Sequence, residues 1–356
     1  MRVALIRREY ITYLDGINKF IAWLGEGLVK LGHEVFLASW CYSGDVGGSS
    51  LSAWFKRIHG LDVEIPVYTL ERGSCTGTPW FRIMSKWWSR GRWLLERNSA
   101  DIAVVNGALP LGFKPKVAVA HGPILKWSLA RRLVQRALYS TFDRVICVSE
   151  ETRRQCSKAG ILSCHEIIPL PVKLDLYKPV DLSARRNIVI HIGTRPTKNP
   201  HISVKVVEEL RNRGFNVELV VIGSRRRELE ELVKGKSFVR VLSAIQEREK
   251  IDILCSAKAL VLPSSAETFS YATVEAMACG TPVAVSEAVP SEVVINEYNG
   301  IRVSGLNYSD YVNALERILR DEHLWSDLSR NALNHVKQFD QLEIAKMYEK
   351  ALRELV

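Results

Sequence analysis

Residues 259–286, ALVLPSSAETFSYATVEAMACGTPVAVS, leave the chain little choice of local fold. The apolar, β-compatible run 259–262 reads as a buried strand, and Pro263-Ser264-Ser265 stops it. Over 268–278, Phe269, Tyr271, Val274 and Met277 recur at helical intervals. Cys279-Gly280-Thr281-Pro282 ends that helix with Gly and then Pro. Residues 283–285 form a second strand. Two acids break the apolar frame: Glu267 at the strand-to-helix junction, and Glu275 inside the helix. A helix beginning at Thr268 turns both toward the crevice at the C-terminal ends of the strands, where open α/β sheets bind ligands. A lone Glu near a helix N-terminus also serves the macrodipole, so it is the pair in this frame that points to a site.

The same strand–helix alternation runs through most of the chain. At 356 residues, 47% hydrophobic and 25% charged, a soluble globular protein with two cores is expected. Residues 2–6 read as a first strand, followed by a loop, RREYITYLDGINKF. An amphipathic helix then ends at Gly32, and 34–38 is the second strand. Gly25-Glu26-Gly27 follows no strand, so it is not a dinucleotide fingerprint. Residues 41–79 look irregular apart from a strand near 63–68. Residues 80–97, WFRIMSKWWSRGRWLLER, place Trp80, Ile83, Met84, Trp87, Trp88, Gly91, Leu94 and Leu95 on one apolar stripe, with Arg82, Lys86, Arg90 and Arg97 largely off it. That is a core helix, or a helix resting partly on an anionic membrane. A strand at 116–120 ends at His121, and a basic helix covers 126–140. A linker over 174–186 opens a second doubly wound domain. Its first turn, Gly193-Thr194-Arg195-Pro196-Thr197-Lys198, aims two cations at one place.

With Arg195 and Lys198 beside Pro263, Ser264, Glu267, Phe269, Glu275, Gly280, Thr281 and Pro282, the sequence resembles the retaining GT-B glycosyltransferases of family 4 and their Glu-x7-Glu element. The resemblance covers nearly the whole chain and is strongest over 187–303. It implies an α/β GT-B fold: two Rossmann-like doubly wound domains facing each other across a cleft, with the C-terminal helix crossing back to the first. The expected domains are 1–172 with about 340–356, and 173–339. By the same resemblance Arg195 and Lys198 hold the donor diphosphate, Glu267 holds sugar hydroxyls, and Glu275 accepts from the ribose. Gly16 opens the backbone near the donor phosphates, His121 contacts the donor sugar, and backbone near Leu242 holds the base. Thr268, Phe269 and Ser270 complete the donor site. Ser270 stands where many members have Gly.

The implied reaction moves a hexose from a UDP- or GDP-sugar to a hydroxyl on a glycan or on a lipid-linked or protein-linked acceptor. Arg195, Lys198, Glu267 and His121 are the catalytic candidates. No Asp-x-Asp occurs, so no metal and no other cofactor are expected. Residues 1–180 carry 25 Lys/Arg against 15 Asp/Glu, and residues 181–356 carry 24 of each. The excess charge therefore lies in the first half and calls for an anionic partner. A cytoplasmic enzyme touching the inner membrane surface peripherally fits that charge. It fits the absence of any run of ~18 apolar residues. It also fits seven scattered cysteines, read as free thiols of a reducing compartment. The alternative is a non-catalytic nucleic-acid or anion-binding protein on a degenerate scaffold of the same fold; no aromatic–basic nucleic-acid module supports it.

Overall fold

The computed structural model describes residues 1–12, 15–42, 48–71, 77–122, 124, 128–161, 164–224 and 226–356. Its contacts divide the chain into two units: Met1–Lys173 with Phe339–Val356, and Leu174–Gln338.

The first unit is a seven-stranded parallel sheet: β1 (Arg2–Tyr10), β2 (Glu34–Cys41), β3 (Val67–Thr69), β4 (Ile102–Asn106), β5 (Lys116–Ala120), β6 (Arg144–Cys147) and β7 (Cys164–Ile167). Their spatial order is β3-β2-β1-β4-β5-β6-β7. Strands buried on both faces read as continuous apolar runs, as VAVA of β5 and IAVV of β4 do. The chain order reverses between β1 and β4, which places a switch point there. β1 is longer than expected. Arg7–Tyr10 continues it past a register shift to pair with Cys41, so RREY is strand rather than loop. A helix at Leu51–His59, capped by Ser50, was also not expected from the sequence.

The last helix, Gln341–Arg353, packs in this unit against the helix Gly16–Lys30. Gly27 makes that contact possible: a Cβ there would sit 2.7 Å from the Ala345 Cβ and 2.8 Å from the Gln341 carbonyl oxygen. The glycine pair set aside as no nucleotide motif is thus a packing device. Around it, buried Glu26 accepts from Lys173 at 2.8 Å and Gln341 at 3.0 Å.

The second unit is a six-stranded parallel sheet: β8 (Arg186–Ile192), β9 (Glu218–Ile222), β10 (Val239–Leu242), β11 (Ala257–Leu262), β12 (Val283–Ser286) and β13 (Ile301–Val303). The order β10-β9-β8-β11-β12-β13 puts its switch point between β8 and β11. Each unit has its own core. Trp87, Val105 and Tyr139 belong to the first, and Val207, Val261 and Tyr311 to the second.

Three expectations change here. The segment Trp80–Arg97 is helical, with a π turn at Trp87–Gly91 between two α stretches. Ile83, Met84, Trp87, Leu94 and Leu95 are buried, but Trp80 and Trp88, expected on the same stripe, lie exposed. The basic helix is Leu129–Tyr139, and Lys126 lies outside the described residues. Finally, Cys147 bonds Cys164, Cys255 bonds Cys279, and Cys41 is also in a disulfide. Only Cys156, buried, is free among the described residues, and burial pushes its thiol up to about 12. The cysteines therefore give no support to a reducing compartment.

Candidate functional site

In the second unit the functional side chains come from the two loops that flank the switch point. After β8 the backbone turns at Gly193, where φ is +101°. A side chain there would be strained, and a Cβ would press to 3.0 Å on the Lys198 side chain. Arg195 is exposed and makes no ion pair with a described residue. Lys198 is half-buried and donates to Glu267 Oε1 at 2.5 Å. Two further bonds lace the loops together. Asn199 Nδ2 donates to the Pro263 carbonyl at 2.8 Å, and the Ser265 amide donates to the Thr197 carbonyl at 2.8 Å. The switch point thus holds a carboxylate, a paired ammonium and a guanidinium without an ion-pair partner among the described residues.

The helix of this motif begins later than its sequence suggests. Ser270 adopts φ +76°, ψ +76°, a left-handed conformation that stops an α-helix from forming before it. The helix runs Tyr271–Ala278, so Thr268, Phe269 and Ser270 belong to the loop. The positive end of the helix accordingly lies after Ser270, not at Thr268, and the Thr273 and Val274 amides donate to the Ser270 carbonyl. The Ser270 hydroxyl bonds the Thr273 hydroxyl at 2.8 Å, which helps to hold the turn. Phe269 is buried, so its side chain serves the core and only its backbone can face a ligand.

Glu275 lies in the second turn of that helix and is 2% exposed. A buried carboxylate needs a counter-charge, and Lys250 provides it at 2.8 Å while also bonding Glu247 at 2.7 Å. Burial and then the Glu275 charge push the Tyr177 hydroxyl well above its usual pKa, and that hydroxyl is buried with no hydrogen-bond partner among the described residues. Lys250 and Tyr177 are site residues that sequence reading missed. They lie 25 and 98 positions from Glu275, and no periodicity announces such pairings. Leu242 ends β10, where its carbonyl accepts from the Gly223 amide at 2.9 Å. That bond occupies one lone pair, and the backbone from Ser243 onward carries what the strand leaves free.

Two expected site residues lie in the first unit. Gly16 opens the helix Gly16–Lys30, but the Asp15 carboxylate already caps it, accepting from the Ile17 amide at 3.1 Å and the Asn18 amide at 2.9 Å. Asp15 also pairs with buried Arg7 at 2.7 Å. The helix N-terminus that Gly16 was expected to open to phosphate is therefore satisfied by the chain's own carboxylate. His121 follows β5 as expected. Asn106 Nδ2 donates to the Ile6 carbonyl, which turns the Asn106 oxygen toward His121 Nε2 at 2.8 Å. Nε2 therefore carries the proton, and Nδ1 is left as an acceptor. Burial, with Arg7 adding to it, lowers the His121 pKa to about 3, so the ring is neutral.

The chain matches two family models. Residues 14–176 match "Glycosyltransferase Family 4", and residues 186–321 match "Glycosyl transferases group 1". An uncharacterized glycosyltransferase of Methanocaldococcus jannaschii is 25% identical over 280 residues, 73% of this chain and 78% of that protein. A D-inositol 3-phosphate glycosyltransferase of Paenarthrobacter aurescens is 29% identical over 214 residues, 54% of this chain and 52% of its own. Among solved structures, sucrose-phosphate synthase from Thermosynechococcus elongatus superposes with a TM-score of 0.82 at 22% identity, covering 100% of this chain and 99% of its own. Anabaena HepE in complex with UDP and glucose gives 0.78 at 17% identity, covering 100% of both chains. At these identities the structural likeness shows the fold.

Proposed function

Because the chain belongs to the group 1, family 4 glycosyltransferases and has their GT-B fold, we propose that it moves a hexose from a nucleotide-diphosphate sugar to a hydroxyl acceptor, retaining anomeric configuration and using no metal. The observation that carries this reading is the Lys198–Glu267 pair at the switch point between β8 and β11, with Arg195 exposed on the same turn.

Departure of a nucleotide diphosphate leaves negative charge that must be met as it develops. Arg195 and Lys198 meet it with cations, and the amides after Ser270 add the positive end of a helix. A diphosphate reaching Lys198 competes with Glu267 for the ammonium. The carboxylate released in that way accepts from hydroxyls of the donor sugar. Glu275 accepts from the ribose. His121, neutral, offers Nδ1 as an acceptor to a sugar hydroxyl. The departing phosphate takes the proton of the acceptor hydroxyl, so no side-chain base is required.

HepE was solved with UDP and glucose, which makes a UDP-sugar the first donor to try. Several relatives are named for an inositol phosphate acceptor, and the basic first half of the chain suits an anionic acceptor or membrane surface. Among the described residues no helix is long and apolar enough to cross a membrane. Contact with the inner membrane surface would therefore be peripheral.

A thermal-shift screen across UDP-, GDP- and ADP-sugars tests the reading. A bound donor at ~100 times its Kd stabilises by about 2.7 kcal/mol. One sugar nucleotide should raise the melting temperature and release its nucleotide diphosphate on incubation with acceptor. No shift with any of them contradicts the assignment.

A further inference from the structure

Three cysteines from consecutive elements of the first unit bring their sulfurs to one place. Cys147 ends β6, Cys156 lies in the helix Glu150–Lys158, and Cys164 opens β7. Their Sγ atoms all lie within 4.8 Å of one another, and those of Cys147 and Cys156 are 3.7 Å apart. Among the described residues no other three His, Cys, Asp or Glu side chains meet in this way. Their spacing in the chain matches no short metal-binding motif, so it is the strand–helix–strand fold that assembles the trio.

Cys147 is bonded to Cys164, and that bond accounts for two of the sulfurs. The third, Cys156, is buried beside Cys147 with its thiol free. A disulfide asks for no third sulfur, whereas a metal ion does. Thiolates ~2.3 Å from a tetrahedral zinc stand ~3.8 Å from each other, which is the separation that Cys147 and Cys156 show. The surroundings suit such a centre. Cys147 and Cys156 sit in the apolar core with Val145 and Ile161, and half-buried Cys164 packs against it. A set made of sulfur alone selects thiophilic ions over magnesium or calcium. Three protein ligands leave the ion a fourth position for water, which the partly exposed side at Cys164 admits.

We propose that Cys147, Cys156 and Cys164, once the Cys147–Cys164 bond is reduced, hold one thiophilic metal ion, with zinc as the probe. A tertiary phosphine reduces the bond: phosphorus takes the oxygen of one water, the two protons of that water go to the sulfurs, and two thiols form. The ion then binds three thiolates, and three protons leave to solvent, one from each cysteine. Disulfide and metal are thus alternative states of the same sulfurs. β7 is an edge strand, paired with β6 alone, so the ion fastens that edge both to β6 and to the helix between them. The trio belongs to the first unit and the Lys198–Glu267 pair to the second, so the metal takes no part in sugar transfer.

Cobalt(II) titration of the full chain, reduced with a phosphine that is then removed under anaerobic conditions, tests the proposal. The reduced protein should develop a thiolate-to-cobalt charge-transfer absorption that saturates at one ion per chain and is erased by zinc. The unreduced protein should develop none. Cys156→Ser and Cys164→Ser should each weaken binding by more than ~10-fold, since losing an outer-sphere partner alone costs about that much. Cys255→Ser with Cys279→Ser should leave it unchanged. Two readings need no variant: zinc should raise the melting temperature of the reduced wild type, and it should shield Cys164 from a maleimide. The proposal is overturned if the reduced wild type shows no charge-transfer band, or if zinc changes neither its melting temperature nor its labelling. It is overturned equally if Cys156→Ser and Cys164→Ser bind cobalt as the wild type does, or if the Cys255, Cys279 double variant is the one that loses the band.

Discussion

Both sheets reverse their chain order at a switch point, β1/β4 in the first unit and β8/β11 in the second, yet the two carry different chemistry. At β8/β11, Arg195 stands exposed without an ion-pair partner among the described residues, and Lys198 is held by Glu267, a partner that a diphosphate can displace. At β1/β4, Arg7 is buried and tied to Asp15, whose carboxylate also caps the helix. The arginine of the first switch point is already tied to a carboxylate, and that of the second stands exposed for a ligand. Two copies of one architecture thus divide the work, and the difference lies in whether the cations there are already spent.

The largest way to break this contrast is at the second switch point. Arg195→Ala or Lys198→Ala should lower transfer by roughly 10²-fold or more with folding intact by circular dichroism, the scale of losing a preorganised charge. Near-normal rates in both would remove the diphosphate assignment.

Lys250→Met should come next. It leaves Glu275 buried without its counter-ion, at a cost of ~3 kcal/mol in chemical denaturation. Nucleotide affinity should fall and become pH-dependent, while Lys250→Arg restores both. If calorimetry with UDP finds the Met variant's affinity unchanged and flat with pH, Lys250 does not position Glu275.

The two units can also be compared through one histidine each whose pKa is lowered. Burial is the main cause that lowers His121 to about 3 and His191 to about 4, both from 6.5. The unfolded chain takes up these protons near pH 6.5 and the native chain does not. Stability is therefore fully present above 6.5 and is lost as pH falls toward 4, by about 1.4 kcal/mol per pH unit for each histidine. His191→Gln should flatten that loss in denaturant titrations between pH 7 and pH 4. An equally steep loss in the variant would assign it elsewhere.

The smallest effect expected is at Ser270, whose left-handed backbone costs about 1 kcal/mol that glycine would not incur. Ser270→Gly should raise stability by up to that amount, less the lost bond to Thr273. A lower melting temperature would mean that the hydroxyl bond outweighs the strain.

Much of the second unit was legible because its site residues sit a few positions past apolar strands, where sequence distance and spatial place agree. The pairing of Lys198 with Glu267 is of this kind. The start of the motif helix was not, since nothing in SYATVEAMA shows that Ser270 takes a positive φ. Trp88 fits the stripe by spacing, yet at the second residue of the π turn Trp87–Gly91 it stands exposed. Trp80 fits the stripe by spacing but lies at the first turn, where the core no longer covers it. Disulfides spanning 17 and 24 residues, and the Lys250–Glu275 pair, depend on tertiary proximity that periodicity does not encode. At Gly16 the sequence does not show that Asp15, one position before it, accepts from the Ile17 and Asn18 amides.

The measurement that tests the central claim most directly is calorimetric titration of UDP and of uridine into the wild type and the Arg195→Ala, Lys198→Ala double variant. The account predicts that the wild type prefers UDP strongly, and that the double variant binds uridine as before while losing ~10²-fold or more of its preference for the diphosphate. A double variant that still discriminates UDP from uridine as the wild type does would contradict it.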